Sequence, residues 1–419
     1  MTRHLVLQEA KLHAGVEITS DEARWLIDQN LASVSPSQQE GCFDVRVNNV
    51  VGVTRYGQLQ VTIQPKLLIG DAIDLIAYSQ GIDVWRAESA ELGASGFTVV
   101  LAGLYRQLLE DALRYGVAQG YRNVDTSGPL LRGRIRLPEQ LARHHGRLIP
   151  FEMSYEEFGP DVAENRILLA ALRKVLEALA AERSDEGSRT RLHTKPVHVS
   201  PVRRHEPLEE EIEKLGRLIP LFRDVGPLDD GSPLPGWTPT RLNEHLIPAL
   251  RLAELVLGRG GVDAQHGNVQ GSGLVIEMWR VFEAAVARAM KEAFPGLHVE
   301  TQFSSQISDV GVKIRPDLVL LRDGHPVAVM DTKYKSFSRQ STLSRDDLFQ
   351  AISYATIFGL PEVTLLYADP SPEKVIQVRT NANKEEITVR LLGLDVTGAA
   401  DRKLVERLSL SLCFLRRIA

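Results

Sequence analysis

The chain of 419 residues is 43% hydrophobic and 25% charged, with a formal charge of -5; those fractions exclude a disordered or fibrous chain, and that length fills two or three cores. Its two cysteines, Cys42 and Cys413, exclude a four-thiolate zinc site and a disulfide framework, so a catalytic metal would rest on oxygen or histidine. No apolar run reaches the ~20 residues of a membrane helix, which makes a cytoplasmic protein without a membrane partner the expectation.

Residues 5–69 run in short β-branched stretches, among them Val45-Arg46-Val47 and Leu59-Gln60-Val61-Thr62-Ile63, separated by Gly, Asn and Pro. This predicts a β-rich domain over 1–95, with a small barrel as one way of closing it. Over 96–262 helical periodicity dominates. Leu101, Leu104, Tyr105 and Leu108 share one face, and a long helix is expected from Asp161 as its cap through Leu179. Further helices are expected over 206–222 and, in spite of Pro248, over 244–257. Between Gly120 and Pro150 a strand-like stretch carries arginines 122, 132, 134, 136, 143 and 147 against Asp125 and Glu139. Such a run is ordinarily a solvated face; its alternative is a contact with DNA or an acidic partner, made by Arg132, Arg134 and Arg136. Residues 258–273, rich in Gly, Asn, Gln and Ser, read as a loop or boundary.

The third region, 263–419, reads as an ordered series. A helix over 274–294 precedes strands over 298–303, 312–321 and 326–334, then a helix over 345–358 and a strand over 363–367. Asp323-Gly324 is a hairpin signal joining the second and third strands. The fold class expected for the whole is α+β and multidomain, ending in a small mixed sheet with helices on its faces.

The chemistry concentrates in Arg315-Pro316-Asp317 and Met330-Asp331-Thr332-Lys333-Tyr334-Lys335. Side chains alternate along a strand, so Asp331 and Lys333 share a face, and the hairpin turn returns Asp317 beside them. Two carboxylates and an ammonium then converge. Carboxylate oxygens suit Mg²⁺, with Mn²⁺ as an alternative, and a lysine there can orient or help deprotonate a water attacking a phosphate. The pattern Asp/Glu-x-Lys alone carries little, since it recurs at Glu9-Ala10-Lys11 and Asp401-Arg402-Lys403. Only Asp331 follows an apolar strand with a partner Pro-Asp upstream. The competing reading is an exposed Asp317–Lys333 ion pair worth ~0–1 kcal/mol, which does not account for charges at the end of an apolar run.

These residues and the order of elements around them resemble the PD-(D/E)xK nuclease core. That resemblance implies Asp317 and Asp331 as metal ligands, Lys333 as the catalytic lysine, and a glutamate on the first helix, Glu283 or Glu277, as a further ligand. It also gives Gln350 and Tyr354 the Q-x-x-x-Y pattern of a subset of these nucleases, supporting the site or lying near DNA together with Lys335. A closer resemblance is to the McrC family, the nuclease subunit of McrBC-type modification-dependent restriction systems. It extends over Ile63-Gln64-Pro65-Lys66-Leu67-Leu68-Ile69-Gly70-Asp71, Leu131-Arg132-Gly133-Arg134-Ile135, Tyr155-Glu156-Glu157-Phe158 with Asp161 and Asn165, and Asp331-Thr332-Lys333-Tyr334-Lys335. The family implies a Mg²⁺-dependent DNA endonuclease acting on methylcytosine-containing double-stranded DNA. It also implies an McrB-like AAA+ GTPase ring as partner, engaged and stimulated by the N-terminal part. No G-x-x-x-x-G-K-[S/T] occurs, so no nucleotide is expected on this chain. A non-cleaving activator of the ring and a DNA-repair nuclease of the same superfamily are the alternatives.

Overall fold

The computed structural model describes residues 3–82, 96–145, 147–186, 205–228, 233–258, 272–301, 303, 305–306, 313–335, 343–379, 386–399, 403–413 and 415. These form a mixed α+β chain in two compact units. One takes the described residues of Met1–Leu101 and Val269–Ala419, the other those of Ala102–Glu186 and Pro201–Asn268.

The chain begins with β1 (Arg3–Gln8), β2 (Leu12–Val16), α1 (Ser20–Asp28), β3 (Ala32–Pro36), β4 (Phe43–Val47), β5 (Val50–Tyr56), β6 (Leu59–Gln64) and α2 (Ile69–Ser79). A capping box starts α1: Glu22 N donates to Thr19 Oγ1 at 3.2 Å and Thr19 N donates to Glu22 Oε2 at 2.8 Å, which satisfies amides the helix cannot. Alternation along β6 buries Leu59, Val61 and Ile63, which pack with Leu5, Leu7, Trp25, Leu26, Val45 and Val47. The strands make two sheets rather than a small barrel. β2-β4-β3 is one; in the other β1 runs parallel to β6, and β6 antiparallel to β5. The free edge of β5 is then taken by a strand from much later in the chain.

The second unit holds most of α3 (Phe97–Ala112), then β7 (Gly120–Gly128), β8 (Arg134–Ile135), α4 (Leu137–His144), β9 (Phe151–Gly159), α5 (Ala163–Glu186), α6 (His205–Gly216) and α7 (Ile247–Leu257). The sheet order is β7-β9-β8. Asp161 does not cap α5. Its carboxylate instead accepts from Arg166 at 2.6 and 2.8 Å and from Gly226 N at 2.9 Å, while Asn165 holds both backbone groups of Ala118. The arginine-rich stretch is only partly strand, since 137–144 is helical with Pro138 in its first turn. The helix expected over 206–222 ends at Gly216 and is followed by a 3₁₀ turn, Ile219–Phe222. Pro248 likewise falls in the first turn of α7, where its missing N–H costs nothing.

From 272 the order is β10 (Ser272–Glu277), α8 (Met278–Ala293), β11 (His298–Thr301), β12 (Ser305–Gln306), β13 (Lys313–Ile314), β14 (Leu318–Arg322), β15 (His325–Lys333), α9 (Arg345–Phe358), β16 (Glu362–Tyr367), β17 (Lys374–Arg379), β18 (Glu386–Gly393) and α10 (Lys403–Ser411). Of the expected loop over 258–273, residues 259–271 lie outside the described residues. The helix expected from 274 starts at Met278, because Leu274 and Ile276 alternate inward on β10, which pairs antiparallel with β5. Gly52 permits that pairing: at φ +131 it has no Cβ, and one would stand 2.0 Å from Leu274 O. A six-stranded sheet follows in the order β11-β14-β15-β16-β18-β17, with β16 and β18 parallel to β15. Its core joins Val319, Val329, Val363, Leu365, Val389 and Leu391 to Ala351, Tyr354 and Ala355 of α9. No described helix is long and apolar enough to cross a membrane.

Candidate active site

Asp323-Gly324 joins Arg322 to His325 in a two-residue turn, and the hairpin pairs Leu318 with Met330. One step further, Asp317 reaches β15. Its Oδ2 accepts from Thr332 N and Thr332 Oγ1, both at 2.7 Å, which fixes the carboxylate across the hairpin. Asp331 is 2% exposed and pairs through Oδ2 with Lys333 Nζ on the same face of the strand. That oxygen receives no well-aligned hydrogen bond. An exposed Asp317–Lys333 pair is therefore not what the sequence encodes; the charges are held out of water.

On α9 the spacing of four residues puts Gln350 and Tyr354 on one face, turned to the same strand. Lys333 Nζ donates to Gln350 Oε1 at 2.8 Å, Gln350 Nε2 to Tyr354 Oη at 2.8 Å, and Tyr354 Oη to Arg315 O at 3.2 Å. Gln350 Nε2 also lies 3.5 Å from Asp331 Oδ1. Sequence reasoning passed over Asp347, whose Oδ1 is 3.6 Å from Lys333 Nζ and whose Oδ2 pairs with Lys335. Its signal was the cap: Ser344 Oγ accepts from Asp347 N at 3.1 Å, and that fixes which way the first turn of α9 faces. Thr332 was missed too, as the residue between the two recognised ones.

The electrostatics follow from crowding in a dry place. Burial first, then the Asp317 charge, pushes the Asp331 carboxyl up to about 6 from 3.8. Burial, then Asp317 and Asp331, pushes Glu283 on α8 up to about 7 from 4.5. Burial works against the Lys333 ammonium, but Asp331, Asp347 and Asp317 outweigh it and raise its pKa. Glu277, the other helix candidate, stands at the N-cap position of α8 without a side-chain capping bond and pairs with Arg280 at 2.6 Å. The group thus carries more negative charge than one lysine balances, which attracts a cation. Among the described residues no three His, Cys, Asp or Glu side chains are close enough to hold one ion together.

Arg132, Arg134 and Arg136 belong to the other unit. Arg136 pairs with Glu139 and, at 3.3 Å, with Asp125; the Arg132 guanidinium lies 5.9 Å from the Tyr155 ring centroid; Arg134 is exposed opposite Ser154. Nearby, Arg122 meets Glu157 at 2.8 Å and Arg143 meets Glu152 at 3.2 Å. Part of the positive charge counted along the sequence is thus offset by acids from β9. The sheet and α4 also leave apolar side chains in solvent, Tyr121, Leu137, Leu141 and Phe158, as do the neighbouring loops with Leu130, Leu148 and Ile149.

A family model described as McrBC 5-methylcytosine restriction system component matches residues 45–368. Among solved structures, one similar chain comes from a refined half-complex of the tetradecameric assembly of Thermococcus gammatolerans McrB AAA+ hexamers with bound McrC. It is 18% identical with a TM-score of 0.52, over 97% of this chain and 100% of that one, a likeness of fold. A chain of the Thermococcus gammatolerans McrBC complex, solved by cryo-EM, is 17% identical over 70% of this chain and 88% of that one, with a TM-score of 0.36. Comparison with curated proteins returns no match.

Proposed function

Because this chain belongs to the family of McrBC 5-methylcytosine restriction system components, we propose that it is the Mg²⁺-dependent DNA endonuclease subunit of such a system, built on a PD-(D/E)xK core. The observation that carries this reading is the convergence of Asp317, Asp331 and Lys333 on one hairpin, with Asp331 buried and the other two half-buried. A domain freed from cutting would gain stability by replacing these charges with apolar side chains.

The donor set fits a hard divalent cation. Asp331 is a buried carboxylate whose Oδ2 meets, among the described residues, only the Lys333 ammonium, and the Asp331 and Glu283 carboxyls repel one another and Asp317. Asp317 and Asp331 would hold the ion, with Glu283 as a further ligand. When bound, Mg²⁺ supplies charge neutralisation at the scissile phosphate. Thr332 fixes the angle of Asp317. Lys333, its pKa raised by its acidic neighbours, stays protonated and serves as a donor that places the attacking water or a phosphate oxygen, rather than as a base. Gln350 holds that ammonium in line and Tyr354 holds Gln350. Lys335, tied to Asp347, lies on the DNA side.

The second unit fits the companion role. An McrB-like AAA+ GTPase ring is the chain's partner, engaged and stimulated through the N-terminal part as the family implies, with the apolar and arginine-bearing surface of β7–β9 and α4 as a further face for it. The test is a cleavage assay on methylated and unmethylated duplex DNA, with and without Mg²⁺, GTP and the GTPase. Cleavage that needs Mg²⁺ and methylation and is lost in Asp331→Ala supports the reading. A wild-type chain that assembles with the ring and stimulates it, yet never cuts, replaces it with a non-cleaving activator.

A further inference from the structure

Lys66 follows β6 and Glu9 follows β1, and the parallel pairing that sets Gln8 against Gln64 brings the two strand ends together. Glu9 N donates to Gln64 O at 2.9 Å, and Lys66 N donates to Glu9 Oε2 at 3.0 Å. Lys66 is thereby fixed as a post at the end of the sheet. Its ammonium spans 268 positions of sequence to Tyr334, the residue after Lys333: Nζ donates to Tyr334 O at 3.2 Å and lies 3.5 Å from the centroid of its ring. Tyr334 is itself buried, and its ring sits 5.8 Å from Phe282, the neighbour of Glu283. On the other side of Tyr334, Lys333 O accepts from Ala368 N at 3.2 Å.

We propose that Lys66 is a positioning residue for the site on β15, fixing the peptide after Lys333 from one side and, through the Tyr334 and Phe282 rings, the turn of α8 that carries Glu283. A methionine would fill the same space without the cost of taking an ammonium from water. What the lysine adds is direction, a charge-assisted hydrogen bond to one carbonyl and a cation over one ring. β10 and α8 already tie Glu283 to the N-terminal sheet through β5, so both halves of the site take their position from that sheet.

The positional claim stands on the contacts; its effect on rate rests on the nuclease reading, and two measurements keep them apart. In the full chain with its GTPase partner, Lys66→Met should lower kcat for DNA cleavage about ten- to a hundredfold with KM held, the cost of misplacing reacting groups by a fraction of a bond length. Lys66→Arg, which keeps a donor and a cation over the ring, should recover most of it. Tyr334→Leu added to Lys66→Met should cost little more than either alone, because the two act as one unit. Amide hydrogen exchange over 331–335 should quicken in Lys66→Met while 3–8 stays at the wild-type rate. If Lys66→Met does not fold, Lys66→Gln carries the same readouts. Wild-type kcat and wild-type exchange at 331–335 in the folded variant would overturn the role of Lys66. A wild type that never cuts DNA defeats the nuclease reading instead, and exchange at 331–335 then decides for or against Lys66.

Discussion

At the β14–β15 hairpin the charged side chains of Asp331, Lys333 and Asp347 are turned inward against one another, and solvent meets little of them. On the β7-β9-β8 sheet and α4 the arrangement is inverted: charges pair at the surface, as Arg122 with Glu157 and Arg136 with Asp125, while Leu137, Leu141, Leu148 and Phe158 stand in water. Burying charge costs several kcal/mol per ion after relaxation, and exposing a patch of leucines forfeits the hydrophobic gain of covering them. Each region therefore departs from the arrangement that would stabilise it most, and in opposite senses. The first departure suits chemistry on a charged ligand, the second suits a protein surface waiting for another protein.

The largest effect expected from breaking this contrast is at the hairpin. Asp331→Ala should lower DNA cleavage at least about a thousandfold, the several kcal/mol a bound ion contributes, while leaving the chain folded and able to assemble. Lys333→Ala should cost about a hundredfold or more and still leave Mg²⁺ binding measurable by calorimetry. Wild-type cutting in either variant would show that buried charge here serves something other than catalysis.

Next in size is a test of the frame behind the hairpin. Gly52→Val places a Cβ against the Leu274 carbonyl and forces a left-handed φ on a β-branched residue. It should destabilise the first unit by about 3 kcal/mol or more, read as a fall in urea midpoint, and impair cleavage along with it. A stable, active Gly52→Val chain would mean that β10 is not needed to hold α8.

A smaller effect follows from pH. The carboxyls of Asp331 and Glu283 lie at about 6 and about 7 in the folded chain, above their ordinary values of 3.8 and 4.5. The folded state therefore binds these protons more tightly than the unfolded state. The stability they contribute is complete below about pH 4 and is lost as pH rises through 6 and 7. Urea midpoints of the metal-free protein should fall less between pH 4 and 7.5 in Asp331→Asn than in the wild type. Equal slopes would show that the carboxylates are not crowded.

The smallest effects on the chain itself are expected in the second unit. Leu137→Ser with Leu141→Ser, and separately Arg134→Ala with Arg136→Ala, should each change stability by no more than about 0.5 kcal/mol per residue, since these side chains are at least partly solvated. The leucine pair should nevertheless weaken assembly with the GTPase ring and its stimulation. The arginine pair decides between partners: reduced assembly with unchanged DNA binding assigns it to the ring, whereas weakened DNA binding with a flatter salt dependence assigns it to phosphates.

Much of this was legible because it is local. The helix expected over 345–358 is found at those bounds, since Ser344 caps its first turn and Gly359 ends it. Alternation put Asp331 and Lys333 on one face, and the Asp-Gly turn returned Asp317 to them. The order of strand-like and helical stretches read as an α+β chain, which the elements bear out. Other features depend on partners far away in sequence. Leu274 and Ile276 fit either a helix or a strand until the open edge of β5 supplied hydrogen bonds, and β17 and β18 gave no signal strong enough to extend the sheet past β16. The arginine run could be counted but not balanced, because Glu152 and Glu157 reach it only across strand pairing. Lys66 stood in the sequence only as one residue of the stretch Ile63–Asp71 that carries the family resemblance, with no role of its own. Only the close packing of two strand ends against Tyr334 made it a half-buried cation, because burial and charge pairing are properties of neighbours in space, which a sequence does not order.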